Sequence, residues 1–130
     1  MEYPEALLYT KDHEWIHQAA EIVTVGISDY AQQELGDVVY VEIPGAGEEV
    51  TAGASIASVE SVKAVSDVYS PVSGLIEEAN QDLVDSPEKI NEDPYGAGWI
   101  AKIRVSGSGQ LAGLMSAREY QAYVEEEFSN

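Results

Sequence analysis

The 130-residue chain is strongly acidic: it carries 24 Asp and Glu residues against six Lys and Arg, for a formal charge of −18. Nucleic acids and anionic membranes are poor partners for such a chain, because their phosphates are neutralised by clustered basic side chains. Cysteine is absent, which excludes a disulfide framework, a zinc-thiolate site and a cysteine nucleophile. We expect a soluble intracellular protein, since neither a signal-peptide pattern nor a long apolar segment is present.

The first part of the chain predicts β-strands and one short helix. β-Branched and aromatic residues recur over residues 9–16 and 21–27, which predicts two antiparallel strands joined by a turn at residues 17–21. A helix of about two turns is expected at residues 28–36, with Ser28 as its N-cap and Gly36 in a left-handed conformation at its end. The next predicted strand covers residues 38–43 and ends at a Pro-Gly pair.

The rest of the chain predicts further short strands and a final helix. Strand-like segments cover residues 54–61, 64–71, 74–81 and 99–106, with Gly and Pro turns between them. Their small residues suit a β sandwich or a flattened barrel. Segments 48–56 and 81–90 share a faint pattern that would suit two related hairpin halves.

Residues 116–127 have helical spacing, and Ser116 with Glu119 fits a capping box. We therefore expect one domain over residues 1–130, with a β core at about 9–105 followed by a C-terminal helix.

One lysine stands apart from the other charges: Lys63 is the only Lys or Arg between Lys11 and Lys89. The sequence Ser-Val-Lys-Ala at residues 61–64 joins two predicted strands and suits a type I turn. Lys63 would then project from a hairpin tip between small neighbours, which leaves its amine open to a modifying enzyme. From the turn alone, the favoured interpretation is an ordinary solvated charge that protects the hairpin from edge pairing.

A longer pattern changes that interpretation. The segments ESVKA at 60–64 and SPVSG at 70–74 resemble the attachment site of lipoyl domains, whose lysine carries lipoic acid in amide linkage. Biotin carriers have methionines beside the lysine, and this chain has Val62 and Ala64 there. The likeness extends to HEW at 13–15 and to residues 25–44 and 90–103. Nearly the whole chain is similar to the H-protein family of the glycine cleavage system, which implies a lipoyl-type β fold with a short inserted helix and a C-terminal helix.

The resemblance implies a non-catalytic carrier with lipoate on Lys63. Such a carrier takes an aminomethyl group from glycine decarboxylase to aminomethyltransferase and presents the reduced dithiol to dihydrolipoyl dehydrogenase. A lipoate ligase or lipoyl transferase would attach the group. We expect a cytoplasmic monomer, or a protein of the mitochondrial matrix if the source is eukaryotic, without metal, nucleic acid or membrane partners. Two alternatives remain open: a lipoate reservoir for other lipoyl domains, and a β-sandwich interaction module with an unmodified lysine.

The same likeness suggests residues for a cleft that receives the loaded arm. Glu14, in HEW, would help to hold the amine, and an acidic partner for a protonated nitrogen is physically sensible. Asp67, which follows the lysine, would line the same cleft. Asp12 and Glu34 depart from the family, whose members often have a hydroxyl and a histidine there, so this cleft would be more acidic. We expect a strand-surface role for His13 and His17 rather than a metal site.

Overall fold

The computed structural model describes residues 1–107 and 109–128, and within these ranges the chain forms short strands and helices. The strands are β1 Leu8–Tyr9, β2 Glu14–Ala19, β3 Ile22–Ile27, β4 Val38–Glu42, β5 Glu49–Val50, β6 Ser55–Ser61, β7 Val65–Tyr69, β8 Gly74–Ala79 and β9 Ala101–Val105. The helices are α1 Asp29–Leu35, α2 Asp82–Asp85, α3 Lys89–Glu92 and α4 Ala117–Phe128.

The strands form two antiparallel sheets. One has the order β1-β2-β3-β9-β8-β5, and the other has the order β4-β6-β7. The prediction of a mainly β fold with an inserted helix and a C-terminal helix is confirmed, and the sheets stay separate rather than closing into a barrel. Apolar side chains from both sheets meet in one core, which includes Val23, Val25, Val41, Val59, Val68, Ile76 and Ile103. Their alternation along the strands is what the two-residue period of a strand requires.

The N-terminal strands differ from the prediction. Residues 9–16 are interrupted by a turn at residues 10–13, in which His13 has a φ of 70°. The Thr10 hydroxyl stabilises this turn by accepting the backbone N–H groups of Asp12 and Glu14, both at 3.2 Å. The following hairpin turn is shorter than predicted, because residues 17–19 already pair with β3. The alternation pattern does not reveal this turn, because polar residues such as those at 10–13 also occur within exposed strands.

Residues 82–92 form two short helices where the sequence suggested half of a repeated hairpin, and that suggestion is wrong. Each helix has only four residues and buries one apolar side chain completely, Leu83 in α2 and Ile90 in α3. A four-residue helix contains too few apolar positions to establish a 3.6-residue period. The two helices therefore depend on the sheets against which Leu83 and Ile90 pack.

The C-terminal helix α4 begins with the predicted capping box. The backbone N–H of Glu119 donates to the Ser116 hydroxyl at 3.2 Å, and the Glu119 carboxylate accepts the Ser116 N–H at 2.9 Å. Tyr120 and Val124 are buried in a second apolar cluster with Tyr9 and Trp15. Across residues 1–107 and 109–128, no helix combines the length and the apolarity that crossing a membrane would require.

Candidate functional site

Lys63 lies at the tip of the hairpin that joins β6 to β7. The Ser61 N–H donates to the Ala64 carbonyl at 2.8 Å, which closes the strand pairing across the turn. The Ser61 hydroxyl accepts the N–H groups of Ala64 at 3.0 Å and Lys63 at 3.3 Å. The turn consists of the four predicted residues, 61–64. In an ordinary turn the N–H of the fourth residue donates to the backbone carbonyl of the first, whereas here it donates to the buried Ser61 hydroxyl. The lysine is therefore held on a well-bonded turn.

The Lys63 side chain is exposed and lies against the end of helix α1. Its Cε atom is 3.5 Å from the position that a Cβ on Gly36 would occupy. Among the described residues, the salt bridges involve Lys89, Lys102 and Arg104, and none of them includes Lys63. The structure thus gives Lys63 no ion-pairing role within these residues.

Helix α1 is fixed at both ends. At its start, the Ser28 hydroxyl accepts the Ala31 N–H at 3.1 Å, as expected for the predicted N-cap. At its end, Gly36 has a φ of 80°, which a side chain at Cβ would oppose. The side-chain NH₂ of Asn91 donates to the Gly36 carbonyl at 2.8 Å, and the side-chain oxygen of Asn91 accepts the Val38 N–H at 2.9 Å. No local pattern points to Asn91, whose role arises only when α3 packs beside α1.

A cleft of about 190 Å³ opens between α1 and the edge strand β7. Leu35, the residue before Gly36, is one of its walls, so the Lys63 side chain lies near this end of helix α1 without lining the cleft itself. The apolar lining consists of Ile27, Ala31, Leu35, Val59 and Val68. Such a surface can shelter an apolar group from water.

The polar lining of the cleft is acidic. Asp67 is one of the lining residues, together with Asp12 and Glu34. Ser66 and Tyr30 contribute hydroxyl groups. Three carboxylates around one opening favour a cationic occupant and disfavour an anion.

Glu14 does not line the cleft but lies directly behind its wall. Its side chain is only 2% exposed, and its carboxylate accepts the Tyr69 N–H at 2.8 Å and the Thr10 hydroxyl at 2.9 Å. Burial raises the pKa of Glu14 to about 7, while these two hydrogen bonds act in the opposite direction. The structure therefore brings Asp67 to the cleft surface and places Glu14 one residue deeper, beside Tyr69 and next in sequence to His13.

His13 is a wall residue that the sequence did not reveal, because a strand-surface role was expected for it. It is half-buried, lines the cleft, and its Nδ1 lies 2.8 Å from the Tyr120 hydroxyl. That hydroxyl also lies 2.7 Å from the hydroxyl of Ser28, the cap of α1. Burial lowers the pKa of His13, and Asp12 and Glu34 oppose this effect. His17 lies apart, in a separate depression beside Trp15.

An accessible lysine on a hydrogen-bonded hairpin, with an apolar cleft nearby, fits the class of carrier domain that the sequence resemblance implies. Comparisons with known proteins specify which one. The family described as "Glycine cleavage H-protein" matches residues 7–127. The chain is 52% identical over 126 residues to the glycine cleavage system H protein of Rubrobacter xylanophilus, covering 97% of this chain and 98% of that protein.

The H protein of Carboxydothermus hydrogenoformans is 48% identical over 124 residues, which cover 95% of each chain. The crystal structure of the H protein from Mycobacterium marinum superposes with a TM-score of 0.85 at 44% identity, covering 92% of this chain and 97% of that chain. The chain therefore belongs to the glycine cleavage H-protein family, the lipoyl carriers of the glycine cleavage system.

Proposed function

We propose that Lys63 carries lipoate in amide linkage and that the protein serves as a non-catalytic shuttle. The shuttle takes an aminomethyl group from glycine decarboxylase to aminomethyltransferase and presents the reduced dithiol to dihydrolipoyl dehydrogenase. The observation that carries the proposal is the position of Lys63: exposed, at a hydrogen-bonded hairpin tip, and beside the end of helix α1, which lines an apolar cleft. When attached, the lipoyl group supplies the sulfur chemistry that a chain without cysteine lacks.

The chain's own residues anchor and shelter the arm. The Ser61 hydroxyl holds the turn, so the amine of Lys63 is presented from a fixed point. Tethering at this point raises the effective concentration of the attached group at each docked enzyme. The apolar wall formed by residues such as Leu35 and Val68 excludes water from whatever enters the cleft. The loaded arm would thus be protected between two encounters.

Acidic residues supply the electrostatic complement to a protonated amine. Asp67 is among the residues that line the cleft, on the edge strand β7, and its negative charge would attract an ammonium group nearby. Glu14 is placed to respond from behind the wall, because an ammonium group nearby would favour the ionised form of a buried carboxyl whose pKa is about 7. We assign both residues to retention of the loaded arm rather than to catalysis.

We also propose that residues 1–130 form a single carrier domain that acts as a cytoplasmic monomer. The formal charge of −18 supports the monomer, since like-charged surfaces repel one another. The three enzymes of the cycle, together with a lipoate ligase or lipoyl transferase, are the expected partners.

The test is acylation of Lys63 followed by turnover. The purified chain, incubated with lipoate, ATP and a lipoate–protein ligase, should gain one lipoyl mass, and peptide mapping should place it on Lys63. The product should support glycine decarboxylase, and a Lys63→Arg variant should do neither. An intact mass equal to that of the bare chain would refute the proposal. Efficient transfer of the lipoyl group to a second acceptor domain, without support of the decarboxylase, would favour a reservoir instead.

A further inference from the structure

Four exposed apolar side chains lie around the turn end of the lysine hairpin. Their exposed fractions run from 50% to 73%, and they are Val39, Tyr40, Val62 and Val65. We call these four residues the collar. Elsewhere in the described part of the chain, only Met1 and Val84 are large apolar residues with comparable exposure. Single exposed apolar residues are ordinary, but a group of them at one place marks an interaction surface.

The backbone of β4 helps to bring these exposed apolar residues together. The pairing of β4 with β6 is interrupted at Val39, which is an extra residue in the manner of a β-bulge. Because of the extra residue, Val39 and Tyr40 are both exposed, whereas regular alternation would bury one of them. Tyr40 pairs with Glu60, and Glu60 pairs with Val65, so these three residues form one row across the outer face of the sheet.

The outer face of the β4-β6-β7 sheet becomes more polar with distance from the lysine. The next row consists of polar residues, since Glu42 pairs with Ser58 and Ser58 pairs with Asp67. Glu60, in the middle of the first row, adds a carboxylate between two collar residues. The complementary partner surface is therefore an apolar hollow with basic residues around it.

We propose that the collar is the docking surface for the enzyme that acylates Lys63. This inference rests on the proposed function, and it concerns the chain before its arm is attached. An unmodified lysine amine lies only one side-chain length from the backbone, so the hairpin itself must enter the mouth of the acylating enzyme. The enzymes that act later meet the end of a much longer arm and need no contact with the turn itself. The collar, which lies around that turn, fits the first kind of partner.

The chemistry at the docked hairpin is amide formation with an acyl adenylate. A bond forms between the lysine Nζ and the acyl carbon, the bond between that carbon and the phosphate oxygen breaks, and AMP leaves. The nitrogen gives up two protons on passing from ammonium to amide. No residue of the collar takes part, so collar residues should affect how tightly the hairpin is held rather than the saturated rate.

The experiment compares threonine substitutions of exposed valines at two places. Val39→Thr combined with Val65→Thr removes apolar surface from the collar while keeping β-branched side chains, and Val84→Thr makes the same change in helix α2. Rates of lipoylation by a purified lipoate–protein ligase are followed by intact mass over a range of chain concentrations. We expect kcat/KM to fall about tenfold for the collar variant through KM, and to stay within about twofold of wild type for Val84→Thr.

A charge variant tests the expected basic rim independently. Glu60→Lys should weaken docking about tenfold, and the loss should shrink at high salt because the repulsion is screened. Thermal denaturation of each variant checks that the fold is retained.

Each outcome bears on one proposal. If wild type is not acylated at all, the proposed function fails. If wild type is acylated and the collar variant reacts equally fast, the inference fails while the proposed function stands. Fully lipoylated collar variant should serve glycine decarboxylase as well as wild type does, and an equal loss there would overturn the assignment to the acylating enzyme. Self-association of wild type that Val65→Thr abolishes would also overturn it, in favour of a second copy of the chain.

Discussion

Glu14 should make the stability of this protein depend on pH. Its carboxyl is 2% exposed, and burial raises its pKa from an ordinary 4.5 to about 7. The folded chain therefore binds a proton more tightly at Glu14 than the unfolded chain does. Tighter proton binding by the folded chain raises the free energy of unfolding. This stabilisation is present in full below pH 4.5, and it disappears as pH rises to about 7.

The size of the effect follows from the interval between the two pKa values. At about 1.4 kcal/mol per pH unit, ionising Glu14 within the fold costs about 3 kcal/mol relative to the unfolded chain. The donors from Tyr69 and Thr10 are already included in the folded value, because they stabilise the ionised carboxylate. An effect of this size is a large fraction of the stability of a typical domain.

The assay is chemical denaturation of wild type and Glu14→Gln at intervals from pH 4.5 to 8. The glutamine keeps an acceptor for the Tyr69 N–H and cannot ionise. Its amide would face the Thr10 hydroxyl, which already accepts two backbone N–H groups, so a constant loss of about 1 kcal/mol is expected. The stability of wild type relative to Glu14→Gln should then fall by about 3 kcal/mol between pH 4.5 and 8.

A second variant separates this local effect from the general acidity of the chain. Glu60→Gln removes the same charge from an exposed strand position, so it should not reproduce the Glu14 difference. A difference between wild type and Glu14→Gln that is flat from pH 4.5 to 8 would refute the reasoning. In that case the buried carboxyl would have an ordinary affinity for protons despite its surroundings.

Three further substitutions test contacts that hold the site. Tyr120→Phe keeps the ring but loses the hydroxyl that contacts both His13 and the buried Ser28, and urea denaturation should report a loss of about 2 kcal/mol; an unchanged midpoint would contradict it. Asn91→Asp replaces an amide donor by a carboxylate facing the Gly36 carbonyl, and it should destabilise by about 2 kcal/mol, with partial recovery at acidic pH. Gly26→Ala places a Cβ 2.5 Å from an indole nitrogen and should cost about 3 kcal/mol, whereas Gly113→Ala, with open space around it, should change stability little.

The sequence predicts the parts of this molecule that depend on local pattern. The cap at Ser28, the turn around Lys63 and the capping box of α4 all consist of residues close together in the chain, so short-range chemistry reveals them. The β-bulge at Val39 is different, because an extra residue is visible only when the partner strand is known.

Contacts between distant segments could not be predicted for the same reason. The bond between His13 and Tyr120 joins residues 107 positions apart, and the Asn91 amide contacts helix α1 across 55 positions. Glu14 was singled out by its resemblance to the family, but its burial behind the cleft wall follows from packing of the turn at residues 10–13 against β7. Local periodicity contains no information about such long-range packing.

The Tyr120 hydroxyl has a practical consequence for work with this protein. Through one oxygen atom, the C-terminal helix supports both a side wall of the cleft, at His13, and the start of the helix that forms the opposite wall, at Ser28. A shortened chain that ends before α4 would remove this common brace and the buried partners of Tyr9 and Trp15. Truncated forms are therefore unsuitable for testing the proposed storage of the arm.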